Sequence, residues 1–134
     1  MPRFFLAVIV PSLLVFSAAY AATGDDLLSG LPAPADSKVL GTQPISSGGQ
    51  QARYSTSANP GAVIASYKQA LPDAGWTVTS SGGGGSSYGG NAGLQATNGP
   101  KYLSINAGGP AGTTFISVCV WPSKPNNDNC GDSD

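Results

Sequence analysis

The chain of 134 residues carries few charges, and its composition argues against several classes of protein. Charged residues make up 10% of it, the formal net charge is −1 at pH 7, and histidine is absent. There is no basic cluster to hold nucleic-acid phosphates, and the commonest general base and metal ligand is missing. We therefore expect no catalytic residue, no metal, no cofactor and no nucleic-acid partner.

Residues 1–21 have the pattern of a secretory signal peptide. Arg3 provides a basic start, residues 4–16 form an almost continuous apolar run, and Ala19 and Ala21 occupy the positions that a signal peptidase reads. The apolar run is short for a membrane span. We therefore expect cleavage after Ala21, a periplasmic or secreted product, and no membrane anchor on the mature chain.

The mature chain begins with an irregular lead-in over residues 22–37, in which Pro32 and Pro34 prevent a long helix. Two short strands are predicted next, at residues 38–42 and 51–56. The Ser- and Gly-rich segment between them is typical of a turn. These two strands are therefore expected to pair as an antiparallel hairpin.

A helix is predicted to follow, with Asn59 as its N-cap and Pro60 at the first helical position. One apolar face is formed by Val63, Ile64, Tyr67, Ala70 and Leu71. Pro72 is expected to tighten or end the helix, and Gly75 suits a left-handed cap.

After one more strand, the glycine-rich segment 81–90 predicts a flexible loop, because four consecutive glycines are costly to hold in a strand. An Asn-Gly pair lies between the alternating runs 92–97 and 101–106. This arrangement is a strong signal for a hairpin. A further turn is predicted at residues 108–110, which are Gly-Gly-Pro.

Residues 114–120 have the most regular strand pattern in the chain. One face carries Ile116, Val118 and Val120, and the other carries Phe115, Ser117, Cys119 and Trp121. Cys119 and Cys130 are the two cysteines of the chain. An oxidising compartment favours a disulfide between them, which would tie the polar tail to the body of the protein.

Together these elements predict one α+β domain over residues 38–134, in the order β-β-α-β-β-β-β. We expect one helix packed on a twisted antiparallel sheet, in a monomer. An all-β sandwich is the alternative, and the helical apolar face argues against it.

The segment 67–76, Tyr-Lys-Gln-Ala-Leu-Pro-Asp-Ala-Gly-Trp, resembles a helix-to-strand junction of many small exported bacterial proteins. The mature chain as a whole, with its glycine-rich segment and the ending Val-Cys-Val-Trp-Pro-Ser-Lys-Pro at 118–125, resembles a small secreted Burkholderia protein family of unknown function. One member of that family is a seroreactive antigen. The resemblance implies an α+β fold and antigenicity, and it implies no catalytic residue.

Three hypotheses for function remain open. The first is an exported, non-catalytic protein that binds an envelope or host partner, either a protein or a glycan. The second is a carbohydrate-binding module in which Tyr88, Tyr102 and Trp121 are exposed aromatics on which sugars stack. The third is a hydrolase with a pair of aspartates, and the placement of the aspartates in the lead-in, one turn and the tail argues against it.

Overall fold

The computed structural model of the protein describes residues 27–34, 36–86 and 89–130. The predicted signal peptide lies outside these described residues. The strands and the α-helix are β1 (Lys38–Ile45), β2 (Gly49–Thr56), α1 (Pro60–Ala70), β3 (Thr77–Ser86), β4 (Gly89–Asn98), β5 (Lys101–Pro110) and β6 (Thr114–Trp121). Two short 3-10 turns, Ser46–Gly48 and Pro72–Ala74, follow β1 and α1. The architecture of the described chain is therefore α+β.

The six strands form one sheet in the spatial order β1-β2-β6-β5-β4-β3, and every neighbouring pair is antiparallel. The last strand, β6, therefore lies in the middle of the sheet, between β2 and β5. The free edges belong to β1 and β3. The backbone groups of β2, β6, β5 and β4 face a hydrogen-bonded neighbour on both sides.

Helix α1 begins and ends where the sequence predicts. The Asn59 Oδ1 accepts a hydrogen bond from the Ala62 N–H at 2.8 Å, and Gly75 adopts a left-handed φ of 92° after the 3-10 turn. The helix contacts β3, β4 and β5. No helix in the described ranges has the length and apolar character that crossing a bilayer requires.

The main core lies between α1 and the sheet face beneath it. The helix and its C-cap contribute four buried side chains, Val63, Ile64, Tyr67 and Leu71. They pack against buried strand residues that include Leu94, Leu103, Ile105, Val118 and Val120. The predicted apolar helix face is confirmed at the four helix-side positions. Leucines of the lead-in, Leu27, Leu28 and Leu31, pack against the same cluster.

The prediction of a flexible loop at 81–90 is wrong for the described part of that segment. The glycines of β3 pair in register with β4, with Gly82 opposite Gly93 and Gly83 opposite Ala92. β4 is itself paired with β5, so the glycines of β3 add to the edge of a strand pair that is already formed. Gly83 has a φ of +92°, and a Cβ there would lie 2.5 Å from the Asn91 carbonyl oxygen, so the close strand approach requires glycine.

The hairpin signal at Asn98 is confirmed, because Asn98 of β4 pairs with Lys101 of β5. The predicted turn at 108–110 is displaced, since β5 continues to Pro110 and the chain turns at residues 111–112. The reason is that Pro110 and the two glycines before it pair with β4 in register.

Candidate functional site

The sheet has an inner face beneath α1 and an opposite face, which we call the outer face. Side chains alternate along each strand. The residues between the core positions therefore point to the outer face. On β5 these are Tyr102, Ser104, Asn106 and Gly108, and on β6 they are Phe115, Ser117, Cys119 and Trp121. The two predicted ligand-binding aromatics of the described chain therefore share this face.

Tyr102 and Trp121 are buried rather than exposed, and this corrects the prediction of an aromatic binding strip. Their exposed fractions are 7% and 2%. They form a second, smaller core with Cys119 and Cys130, against which Ile45 packs. The two rings lie 6.0 Å apart between centroids. The third predicted aromatic, Tyr88, lies outside the described residues.

The tail after β6 and the turn between β1 and β2 together account for this burial. The predicted disulfide is present between Cys119 and Cys130. The Tyr102 hydroxyl donates to Asp128 Oδ2 at 2.7 Å, and the Trp121 Nε1–H donates to the Ser46 carbonyl at 3.2 Å. Burial, followed by the hydrogen bond and the charge of Asp128, raises the pKa of Tyr102 to about 12. The tail thus makes this half of the outer face a structural core.

The other half of the outer face contains an open groove of about 480 Å³ across β3, β4, β5 and β6. We call it the outer groove. Its outward-facing lining is Gly82, Asn91, Gly93, Asn106, Gly108, Phe115 and Ser117, and Cys130 of the tail also lines it. The outer groove therefore crosses four strands that follow one another along the chain and pair side by side in the sheet.

Glycines form the floor of the outer groove because neighbouring side chains lie across it. A Cβ on Gly93 would lie 3.1 Å from Asn106 Oδ1. A Cβ on Gly108 would overlap the Asn91 Oδ1. The side-chain amides of Asn91 and Asn106 thus lie over neighbouring strands, and the glycines leave the room in which they do so.

The polar groups of the outer groove are two amides and one hydroxyl, and its exposed ring is Phe115. The Asn106 Nδ2 donates to the Cys130 carbonyl, which fixes that amide against the tail. Asn91 is exposed, and Phe115 is 46% exposed. Amides and hydroxyls both donate and accept hydrogen bonds. The arrangement can bind a ligand that carries hydroxyl groups and a flat apolar face.

Carboxylates do not gather near the outer groove in the described chain. Asp36 and Asp73 are exposed, and Asp128 accepts the hydrogen bond from Tyr102. No group of three His, Cys, Asp or Glu residues with metal-binding spacing occurs within the described ranges. The remaining aspartates lie outside those ranges, so the hydrolase hypothesis stays a prediction.

Sequence reasoning placed Phe115 on the correct strand face but did not select it as a binding residue. It also missed Asn91, Asn106 and Ser117. The signal that could have found them is the run of outward positions occupied by small residues on neighbouring strands. Recognising that run requires the strand register, and no pattern within a single strand supplies it.

Comparison with family models, with curated proteins and with solved structures finds no match to this chain. The resemblance to a small secreted Burkholderia family, together with the antigenicity that it implies, therefore stays a prediction.

Proposed function

We propose that this protein is an exported, non-catalytic binding domain and that its outer groove binds a glycan of the cell envelope or of a host. The observation that carries the proposal is the glycine floor beside an exposed phenyl ring and two amides. The signal-like first 21 residues and the disulfide support export, because disulfides persist in oxidising compartments.

The chemistry of the lining supports binding rather than catalysis. Its side-chain groups are the amides of Asn91 and Asn106, the hydroxyl of Ser117 and the ring of Phe115. General acid–base catalysis needs a group whose pKa lies near the working pH. Amides, an ordinary hydroxyl and a phenyl ring do not exchange protons in that range, whereas all of them take part in sugar recognition.

The position of the outer groove in the sheet favours a glycan over an extended peptide. Peptides that bind sheets pair with the free backbone groups of an edge strand. The floor of the outer groove is made largely by β4, β5 and β6, which are interior strands with neighbours on both sides. A ligand there meets side chains rather than a free backbone ladder. A sugar has the hydroxyls and the apolar ring face that these side chains complement.

The expected affinity for one sugar ring is weak. Stacking on Phe115 contributes about 1 kcal/mol, and two or three hydrogen bonds add about 1 kcal/mol each. The sum of about 3–4 kcal/mol corresponds to a dissociation constant of about 1–6 mM. Longer oligosaccharides that contact more of the outer groove are expected to bind more tightly.

The test fills the outer groove with one side chain. A Cβ on Gly82 would meet nothing within 4 Å, so Gly82→Leu is expected to fold and to occupy the space that the ligand needs. Ser81→Leu is the matched control. Ser81 is exposed and adjacent to Gly82 in β3, and its side chain points to the face opposite the outer groove. Binding is measured by saturation-transfer NMR with short cello-, chito-, malto- and galacturonate oligosaccharides.

We expect at least one of these oligosaccharides to bind the wild type and the Ser81→Leu variant equally. Gly82→Leu should weaken that binding by about tenfold or more, as a blocked site requires. Equal binding by both leucine variants, or no binding by any oligosaccharide to the folded wild type, would contradict the proposed site.

A further inference from the structure

We propose that the glycan bound in the outer groove is acidic, and that Arg53 receives its carboxylate while Phe115 receives the ring. This inference rests on the proposed function and adds the charge of the ligand to it. The observation that supports it is the position of Arg53, which lies beside the outer groove on the same face of the sheet.

Arg53 lies on β2, directly opposite Ser117 of β6. Ser117 lines the outer groove, so the arginine is one strand beyond its edge on the outer face. Strands are about 4.8 Å apart, and an arginine side chain is long enough to reach over its neighbour. Arg53 is exposed, and no ion-pair partner for it occurs among the described residues.

The spacing between Arg53 and Phe115 fits one sugar ring. Ser55 lies directly opposite Phe115, and Arg53 is two residues from Ser55 along β2. Such diagonal neighbours are about 7–8 Å apart, within reach of aromatic and long side chains. In a uronic acid the carboxylate projects from the edge of the ring. A ring stacked on Phe115 can therefore direct its carboxylate towards Arg53.

The charge distribution of the sheet also favours an anion. None of the six strands contains an Asp or a Glu, whereas Lys38 of β1 lies in the same cross-strand row as Ser55 and Phe115. Guanidinium and carboxylate groups form charge-assisted, often bidentate hydrogen bonds, which are roughly twice as strong as neutral ones. An acidic glycan thus gains an interaction that a neutral glycan lacks.

The experiment compares one sugar with and without its charge. Short oligogalacturonate and its fully methyl-esterified form have the same rings, and the ester is neutral. Both are titrated into the wild type, Arg53→Gln, Arg53→Lys and Gly82→Leu by calorimetry at low and at physiological ionic strength. Lys68→Gln removes an exposed cation from α1 and is the matched control.

We expect the acid to bind the wild type about tenfold more tightly than the ester at low salt, with the difference shrinking as salt screens the pair. Arg53→Gln should reduce acid binding to the level of the ester and leave ester binding unchanged. Arg53→Lys should retain part of the difference, and Lys68→Gln should retain all of it.

The two proposals fail in distinguishable ways. If acid and ester bind equally, and both lose affinity in Gly82→Leu while Arg53→Gln changes neither, the acidic ligand is ruled out and the glycan groove stands. If acid binding depends on Arg53 but not on Gly82, the anion binds outside the outer groove and the acidic ligand of the groove is ruled out. The glycan groove is overturned with it only if ester binding is also unchanged in Gly82→Leu. Absence of binding by acid and ester to the folded wild type overturns the acidic ligand directly.

Discussion

Reduction of the Cys119–Cys130 disulfide is expected to destabilise the protein and to uncover the smaller core at the same time. The bond joins β6 to the tail that covers Tyr102 and Trp121. In the oxidised protein both cysteines are almost fully buried, with 1% and 3% of their surfaces exposed. Complete reduction therefore requires a strong phosphine reductant, with thiol labelling to confirm it.

The magnitude follows from the length of the closed loop. The two cysteines are 11 residues apart in the chain, and the chain-entropy model gives about 2.8 kcal/mol at 25 °C for a loop of that length. For a domain of this size, about 4 °C of melting temperature is lost per kcal/mol. The expected shift on reduction is therefore about 11 °C.

The assay is urea unfolding of oxidised and reduced protein, followed by tryptophan fluorescence. A Trp76→Phe background leaves Trp121 as the reporter, and acrylamide quenching then measures its exposure. We expect little quenching in the oxidised protein and clear quenching after reduction, when the tail is no longer tied. A stability change below about 1 kcal/mol, or quenching that does not change, would refute the loop-entropy and tail-burial reasoning.

Three further predictions concern stability. Leu71→Ala should lower the free energy of unfolding in urea by about 2–5 kcal/mol, because Leu71 is fully buried. The exposed control Ser66→Ala should lower it by less than about 0.5 kcal/mol. Similar values for the two variants would mean that the helix face is misassigned. The buried Tyr67 hydroxyl has no hydrogen-bond partner in the described chain. Because an unpaired buried hydroxyl destabilises the folded state, Tyr67→Phe should raise the free energy of unfolding by about 1 kcal/mol. A lower free energy of unfolding would indicate that the hydroxyl has a partner. The pKa of Tyr102 is raised from 10.0 to about 12. The stability contributed by its protonated hydroxyl is therefore complete below about pH 10 and is lost as the pH rises to about 12. An ultraviolet absorbance titration that gave this tyrosine its ordinary pKa would contradict the hydrogen bond to Asp128.

Local sequence signals predicted the helix well because its boundaries depend on local chemistry. The Asn59 side chain caps the first turn, and Gly75 takes the left-handed conformation that most residues avoid. The alternating pattern of β6 likewise separated Val118 and Val120 from Cys119 and Trp121. These assignments need only neighbours within a few residues along the chain.

The glycine-rich segment could not be predicted in this way. Its propensity favours a loop, yet pairing with β4 on one side and the support of β5 behind it hold Gly82 and Gly83 in a strand. The gain comes from backbone hydrogen bonds to residues that the local pattern does not reveal. Tertiary context therefore overrides the intrinsic preference of glycine.

The predicted exposure of Tyr102 and Trp121 is wrong for a similar reason. Alternation showed that Tyr102 and Trp121 point away from the main core, but it did not show that the tail folds back over them. Asp128 and Cys130 bring the tail onto this face through a hydrogen bond to Tyr102 and a disulfide, and the turn at Ser46 accepts a hydrogen bond from Trp121. Among the described residues of the outer face the exposed aromatic is Phe115, which lies beyond the part of the face that the tail covers.

The outer groove as a glycan site is tested most directly by mapping where a sugar binds. Short oligogalacturonate is titrated into isotope-labelled protein, and the backbone amide shifts are followed. We expect the largest shifts at Gly93, Asn106 and Ser117 and no response from α1. Shifts concentrated on α1 or on the buried pair Tyr102 and Trp121, with none in the outer groove, would contradict the proposed site.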